Sequence, residues 1–189
     1  MTTYDDLTRM SRRQLDAVLR RGHPVRPEAL ADTEFHGTSL GLPSAIDRIA
    51  WKKFKKVFRR EEDGHLRGWN VRAVQNALDE PWLDDTRKGG RDTYGHYAVH
   101  PAGEYEALAQ PYRRGLMIDY GRGGNRSLDP MQRIRDPLVA VNEGDDTLLL
   151  GVSFLDAGAA GWWLLPTWFS LTRGGPLTYD ASPPASTRS

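Results

Sequence analysis

The chain of 189 residues contains no cysteine. Disulfides, thiolate metal sites, cysteine-ligated iron–sulfur clusters and thiol catalysis are therefore excluded. It also lacks an apolar run long enough to cross a bilayer as a helix, for which about 18 residues are needed. The longest apolar stretch, 158–169, is interrupted by Pro166. Excess charge is missing too: 26 Lys and Arg stand against 25 acids, a net charge of +1. A dedicated nucleic-acid binder is usually strongly basic, so no nucleic acid is expected as a partner. The opening residues MTTYDDLTRMSRRQL hold no apolar stretch of the signal-peptide kind. Together with the absence of cysteine, this sets the expected location as cytoplasmic.

Several catalytic motifs are absent as well. The run Gly121–Arg122–Gly123–Gly124–Asn125 has neither the phosphate-loop nor the dinucleotide-binding spacing and reads as a turn. There is no G-x-S-x-G elbow, which leaves Ser39, Ser44 and Ser153 without a visible base. Of the five histidines, only His96 and His100 show H-x-x-x-H spacing. On a strand such a pair lies roughly 13 Å apart, too far to share one ion. No metal and no cofactor is expected, with one variant left open: a haem held in a barrel through His36 or His96.

What is present reads as one globular unit, with 39% hydrophobic and 27% charged residues in the ordinary range for such a domain. Residues 1–28 form an N-terminal helical segment. Leu15, Val18 and Leu19 recur at helical spacing, Ser11 and Gln14 stand as a capping box, and Gly22 and Pro24 end the helix. Residues 29–173 carry the main domain, which begins with a strand at 33–40. The stretch 44–60, SAIDRIAWKKFKKVFRR, places Ile46, Ile49, Phe54, Val57 and Phe58 on one side when wound at ~100° per residue. Arg48, Lys52, Lys55, Lys56 and Arg59 fall on the other. The expectation is an amphipathic lid helix, capped by Ser44.

From residue 66 the pattern turns to short aromatic and β-branched runs separated by Gly, Pro, Asp and Asn. Strands are expected at 66–74, 93–100, 116–120, 137–141, 147–155 and 162–171. Seven or more antiparallel strands are enough to close a β-barrel. The Pro- and Ser-rich tail 174–189 is expected to be disordered.

Segments along almost the whole domain, about residues 12–172, carry a family likeness. They are LDAVLRRG at 15–22, Gly37–Thr38, Trp51 with Lys55 and Phe58, RGWNVRAVQN at 67–76, YGHYAV at 94–99, IDYG at 118–121, RDPLVAV at 135–141 and LLLG at 148–151. In this order they resemble a group of uncharacterised bacterial proteins that is distantly similar to the families called GXWXG and DUF4334. The resemblance implies a lipocalin-like β-barrel able to hold an apolar ligand, and it implies no particular reaction.

Three sets of residues are candidates for function. The first is Asp119 with Arg135 and Asp136. A carboxylate in an apolar strand is costly to bury unless paired, and Arg135 is a natural bidentate partner. Strand alternation puts Met117 and Asp119 on one face and Leu116, Ile118 and Tyr120 on the other. Facing the barrel interior, the pair is a polar anchor or an acid–base pair; facing outward, it is a structural ion pair. The second set is Trp69, Asn70, Gln75, Asn76, Tyr94, His96 and Tyr97. These residues either line a pocket, with His96 as general base, or satisfy loop ends and pack the core. The third is the basic face Arg48, Lys52, Lys55, Lys56 and Arg59, which would rest on an anionic membrane or an acidic partner if the helix forms.

The leading expectation is a cytosolic binding protein for a hydrophobic small molecule or lipid. Its ligand would lie among Trp69, Asn70, Asn76, Tyr94, His96, Asp119 and Arg135. The alternatives are a pocket enzyme of the cyclase or isomerase type using Asp119 or His96, with Arg135 beside them, and a membrane- or partner-binding module working through the basic helix.

Overall fold

The computed structural model describes residues 1–41, 52–87 and 89–183. Eight strands close a barrel: β1 (Thr33–Leu40), β2 (Lys53–Arg60), β3 (Leu66–Arg72), β4 (Thr93–Pro101), β5 (Leu116–Asp119), β6 (Ile134–Asn142), β7 (Asp145–Asp156) and β8 (Trp162–Pro176). Every neighbouring pair is antiparallel, and β8 returns to pair with β1. This is the up-and-down closure of a lipocalin-like barrel, which leaves no sheet edge unpaired. No described helix is long and apolar enough to cross a membrane.

Three short helices precede the barrel: α1 (Tyr4–Arg9), α2 (Arg12–Arg21) and α3 (Pro27–Leu30). Both longer ones open on reciprocal capping boxes, Thr3 with Asp6 and Ser11 with Gln14. Leu7, Leu15 and Leu19, all fully buried, pack with Val139, Leu150, Val152 and Trp168 on the outer wall of β6–β8. Each such leucine stabilises the fold by about 2 kcal/mol.

Inside, the barrel is filled at one end only. Phe35, Phe58, Tyr97, Val99, Leu138, Leu149 and Leu171 belong to one buried cluster. Three inward glycines make room for rings on the strands opposite. Gly37 pairs with Phe54, Gly68 with Tyr97 and Gly151 with Phe169. A Cβ at these glycines would come within 2.3, 2.4 and 2.3 Å, respectively, of those rings. Antiparallel order brings the end of β1, the start of β2 and the described residues between β3 and β4, β5 and β6, and β7 and β8 to the other end of the barrel, where the described residues leave the interior open.

Two expectations fail. The lid helix over 44–60 is not formed where it can be checked: 53–60 is strand β2, and 44–51 lies outside the described residues. Phe54 and Phe58 are four apart, a spacing shared by one helical turn and two strand repeats, so periodicity alone does not separate the two. Aromatic and β-branched content decides for the strand. Phe58 meets Phe35 and Tyr97 edge-on at centroid distances of 5.6 and 5.8 Å. The tail also departs from expectation. Residues 174–176 complete β8, and Leu177, Tyr179 and Ala181 cover Val57, Trp69 and Val71 on the outer wall. Arg67 anchors this strap through Asp180 at 2.6 Å. Residues 184–189 lie outside the described residues.

Candidate functional site

Alternation along β2 turns Phe54, Lys56 and Phe58 inward and Lys53, Lys55, Val57 and Arg59 outward. Lys56 thus ends inside the barrel, 1% exposed. Its Nζ donates to Asn70 Oδ1 at 2.9 Å and to the Tyr120 hydroxyl at 2.5 Å, and it lies 3.6 Å from Asp136 Oδ2. The Tyr120 hydroxyl donates in turn to Asp136 Oδ2 at 3.3 Å. Around the ammonium stand the rings of Tyr97, Tyr120, Phe169 and Phe54, at 5.0, 5.0, 5.1 and 5.8 Å. Such faces partly replace lost hydration of a cation.

These four polar side chains form the floor of a cavity of about 230 Å³. Phe54, Tyr94, Met131 and Phe169 supply its apolar walls, Trp168 borders it from β8, and Ser39, Ser153 and Thr167 add three hydroxyls. Trp163 and Leu164 at the start of β8 and Leu128 between β5 and β6 are exposed at the same end.

Burial dominates the electrostatics. It lowers Lys56 from its ordinary 10.5 to about 8, against the opposing pull of Asp136. It raises the Asp136 carboxyl above the usual range, with Lys56 opposing. Tyr120 is pushed well above 10, also by burial, and stays a phenol at neutral pH. Asp136 Oδ1 is buried and has no hydrogen-bond partner among the described residues. The Ser153 hydroxyl, on the same wall, favours the ionised carboxylate. A buried carboxylate oxygen without a donor costs about 1–3 kcal/mol or more. The cavity floor therefore has unused capacity to accept a hydrogen bond.

No family model matches the chain, and no curated protein is significantly similar to it.

Of the expected ligand residues, Asn70 and Tyr94 line the cavity. The others do not. Asp119 and Arg135 are paired as anticipated, with Nε 3.1 Å from Oδ1, but on the outer wall. There Tyr105 donates to Asp119 at 2.8 Å and the Gly121 amide at 2.8 Å, while Arg135 also donates to Gln132 O at 2.7 Å. They make a structural ion pair rather than a pocket floor. Trp69 lies under the C-terminal strap, tilted over His96 at 6.1 Å. His96 faces the same side, so neither its role as pocket base nor a haem ligated inside the barrel by it has a geometric basis. His36, the other haem candidate, stacks on Trp82 outside the barrel at 5.0 Å.

The divergence of Tyr94 from His96 has a local cause. Opposite Trp69, β4 carries an extra residue between Tyr94 and Tyr97, and Gly95 takes φ 53°. This bulge breaks the alternation, so Tyr94 and Tyr97 both point inward while His96 points out.

The remaining amides and the basic set hold loops. Asn76 accepts from Lys53 Nζ at 2.7 Å, and Ala77 O and Glu80 O accept at 2.8 and 2.7 Å, with the Trp82 ring 4.1 Å from the same ammonium. Gln75 accepts from the Lys52 and Lys53 amides and donates to Lys53 O, extending the pairing of β2. Lys55 is paired with Glu34 at 2.9 Å and Asp84 at 2.7 Å. Arg59 lies 3.6 Å from Asp180. Lys55 and Lys56 point to opposite sides of β2, and Arg48 lies outside the described residues. The basic membrane-facing surface expected from a helix does not exist on this strand.

Asp136, named with Asp119 and Arg135, is the member of that set that lines the cavity; Lys56, expected on a basic helix face, lines it too, and Tyr120 was in none of the sets. The usable signal was the F-x-K-x-F alternation of 54–58, which places a lysine between two inward aromatics once the segment is taken as a strand.

Proposed function

We propose that this protein binds a small, largely apolar molecule inside the barrel and holds its one polar end at the Lys56–Tyr120–Asp136 floor. The observation that carries this reading is the uneven filling of the interior: one end is packed solid, and the open end keeps a cavity of about 230 Å³ walled by aromatic side chains. Ligand pockets are typically apolar with a few placed polar groups. The volume falls below the ~300–1,000 Å³ of sites for drug-sized ligands, which narrows the expected hydrophobic ligand to a compact one and disfavours a two-chain lipid. The unpartnered Asp136 Oδ1 favours a ligand whose polar end carries a hydrogen-bond donor or acquires one in the site. A cytoplasmic setting agrees with the cysteine-free composition.

Native mass spectrometry of the purified protein, followed by organic extraction, tests the reading. A released compound of compact apolar type, or mass shifts on adding such compounds, supports it. Those shifts should vanish in Ser153→Phe, which fills the cavity from its wall. An unliganded mass from several expression hosts, with no shift across a panel of small apolar alcohols, acids and aldehydes, overturns it.

A further inference from the structure

Lys56 is placed as few lysines are. It lines an apolar cavity and is 1% exposed. Within hydrogen-bond reach of Nζ stands a phenol, Tyr120, which itself reaches Asp136. A desolvated lysine with a proton acceptor at hand is the arrangement that makes an amine nucleophilic.

We propose that Lys56 forms a Schiff base with a compact apolar aldehyde that enters the barrel cavity, with Asp136 as proton acceptor and then as counter-ion. The inference rests on the pocket reading above and names the ligand class of the same site. The Lys56 ammonium gives a proton to Asp136, directly or through the Tyr120 hydroxyl. The free amine attacks the carbonyl carbon: an N–C bond forms, and the carbonyl oxygen takes up the proton lost by nitrogen to give a carbinolamine. Asp136 returns its proton to the carbinolamine hydroxyl, the C–O bond breaks and water leaves. The product is a protonated imine whose positive charge faces the Asp136 carboxylate. Ammonium plus aldehyde gives iminium plus water, with charge and atoms conserved and no oxidant required. Burial favours the first transfer, since it lowers the proton affinity of Lys56 and raises that of Asp136.

The full chain is incubated with benzaldehyde and sodium cyanoborohydride, and the modified lysines are mapped by peptide mass spectrometry across pH 6–10. The expected result is a single adduct at Lys56, formed at least tenfold faster than at Lys52, Lys53, Lys55 or Lys88, with a midpoint near pH 8. Lys56→Arg keeps the cation and abolishes that adduct. Labelling of Lys56 no faster than of the other lysines in the wild-type chain overturns the proposal, whatever the variant does. Benzyl alcohol separates the two readings. If the alcohol and the aldehyde both bind by native mass spectrometry and no Lys56 adduct forms, the Schiff base fails and the pocket stands. If neither binds, both fail.

Discussion

Removing one member of the buried pair should cost far more than removing both. Lys56 and Asp136 are 1% and 3% exposed. Lys56→Met keeps the length of the side chain and deletes the ammonium. Asp136 is then left in the barrel with the Tyr120 phenol as a neutral donor, at 3.3 Å. Breaking a buried ion pair from one side typically costs 3–5 kcal/mol. With a urea m-value of roughly 2 kcal/mol/M, the unfolding midpoint should fall by about 2 M. Unfolding can be followed through tryptophan fluorescence at pH 7. Part of the loss should be recovered by acidification, because an unpaired Asp136 takes up a proton more readily in the native than in the unfolded chain. Stability from that proton is present at low pH and lost as pH rises through the raised native value. Replacing both residues, Lys56→Met with Asp136→Leu, removes both desolvation costs and should return to within about 1 kcal/mol of wild type, or exceed it. A loss below about 1 kcal/mol in the single variant refutes the burial argument. So does a double variant at least as damaged as the sum of its singles.

The pair also predicts an alkaline window. With Lys56 near 8 in the fold and 10.5 unfolded, the unfolded chain binds the extra proton between those values, so the lysine's contribution to stability should rise from about pH 8 upward. Urea titrations of wild type against the double variant isolate it; a wild-type stability that falls relative to the variant across pH 8–10 contradicts the shift. Gly68→Ala should cost about 1–3 kcal/mol, since its Cβ would stand 2.0 Å from the Val57 carbonyl and 2.4 Å from the Tyr97 ring; an unchanged melting temperature would show that β2 and β3 can spread there. Asp119→Asn, by contrast, should lower stability by about 1–3 kcal/mol through the Arg135 and Tyr105 contacts while leaving ligand mass shifts and Lys56 labelling unchanged. Loss of ligand binding in a folded Asp119→Asn protein would return that residue to the site.

The barrel was legible in the sequence because its strands are bounded by residues with a mechanism. Thr33–Leu40 is read correctly at both ends, closed by Gly41 at φ 64°, and the Ser11–Gln14 box marks the start of α2. The segment 53–60 was not legible, since its two phenylalanines satisfy both periods and lysines at 52, 53, 55 and 56 look like the polar side of a helix. Of the first candidate set only Asp136 reaches the interior; Asp119 and Arg135 lie one residue off it, for a different reason. Asp119 pairs with Arg135 across β5 and β6, and the next positions along, Tyr120 and Asp136, are the ones that meet Lys56. Alternation correctly separated Met117 and Asp119 from Ile118 and Tyr120, but it names an inner face only when the other face is wet. Here Met117 on the outer wall and Ile118 on the inner are both fully buried, the first with the N-terminal helices' cluster and the second with the barrel's own. A sheet covered on both sides offers two buried carboxylates, and hydrophobicity cannot choose between them. The choice follows from the partner each finds: a solvent-touching arginine suits an outer clamp, whereas a lysine that can give up its proton suits an enclosed cavity.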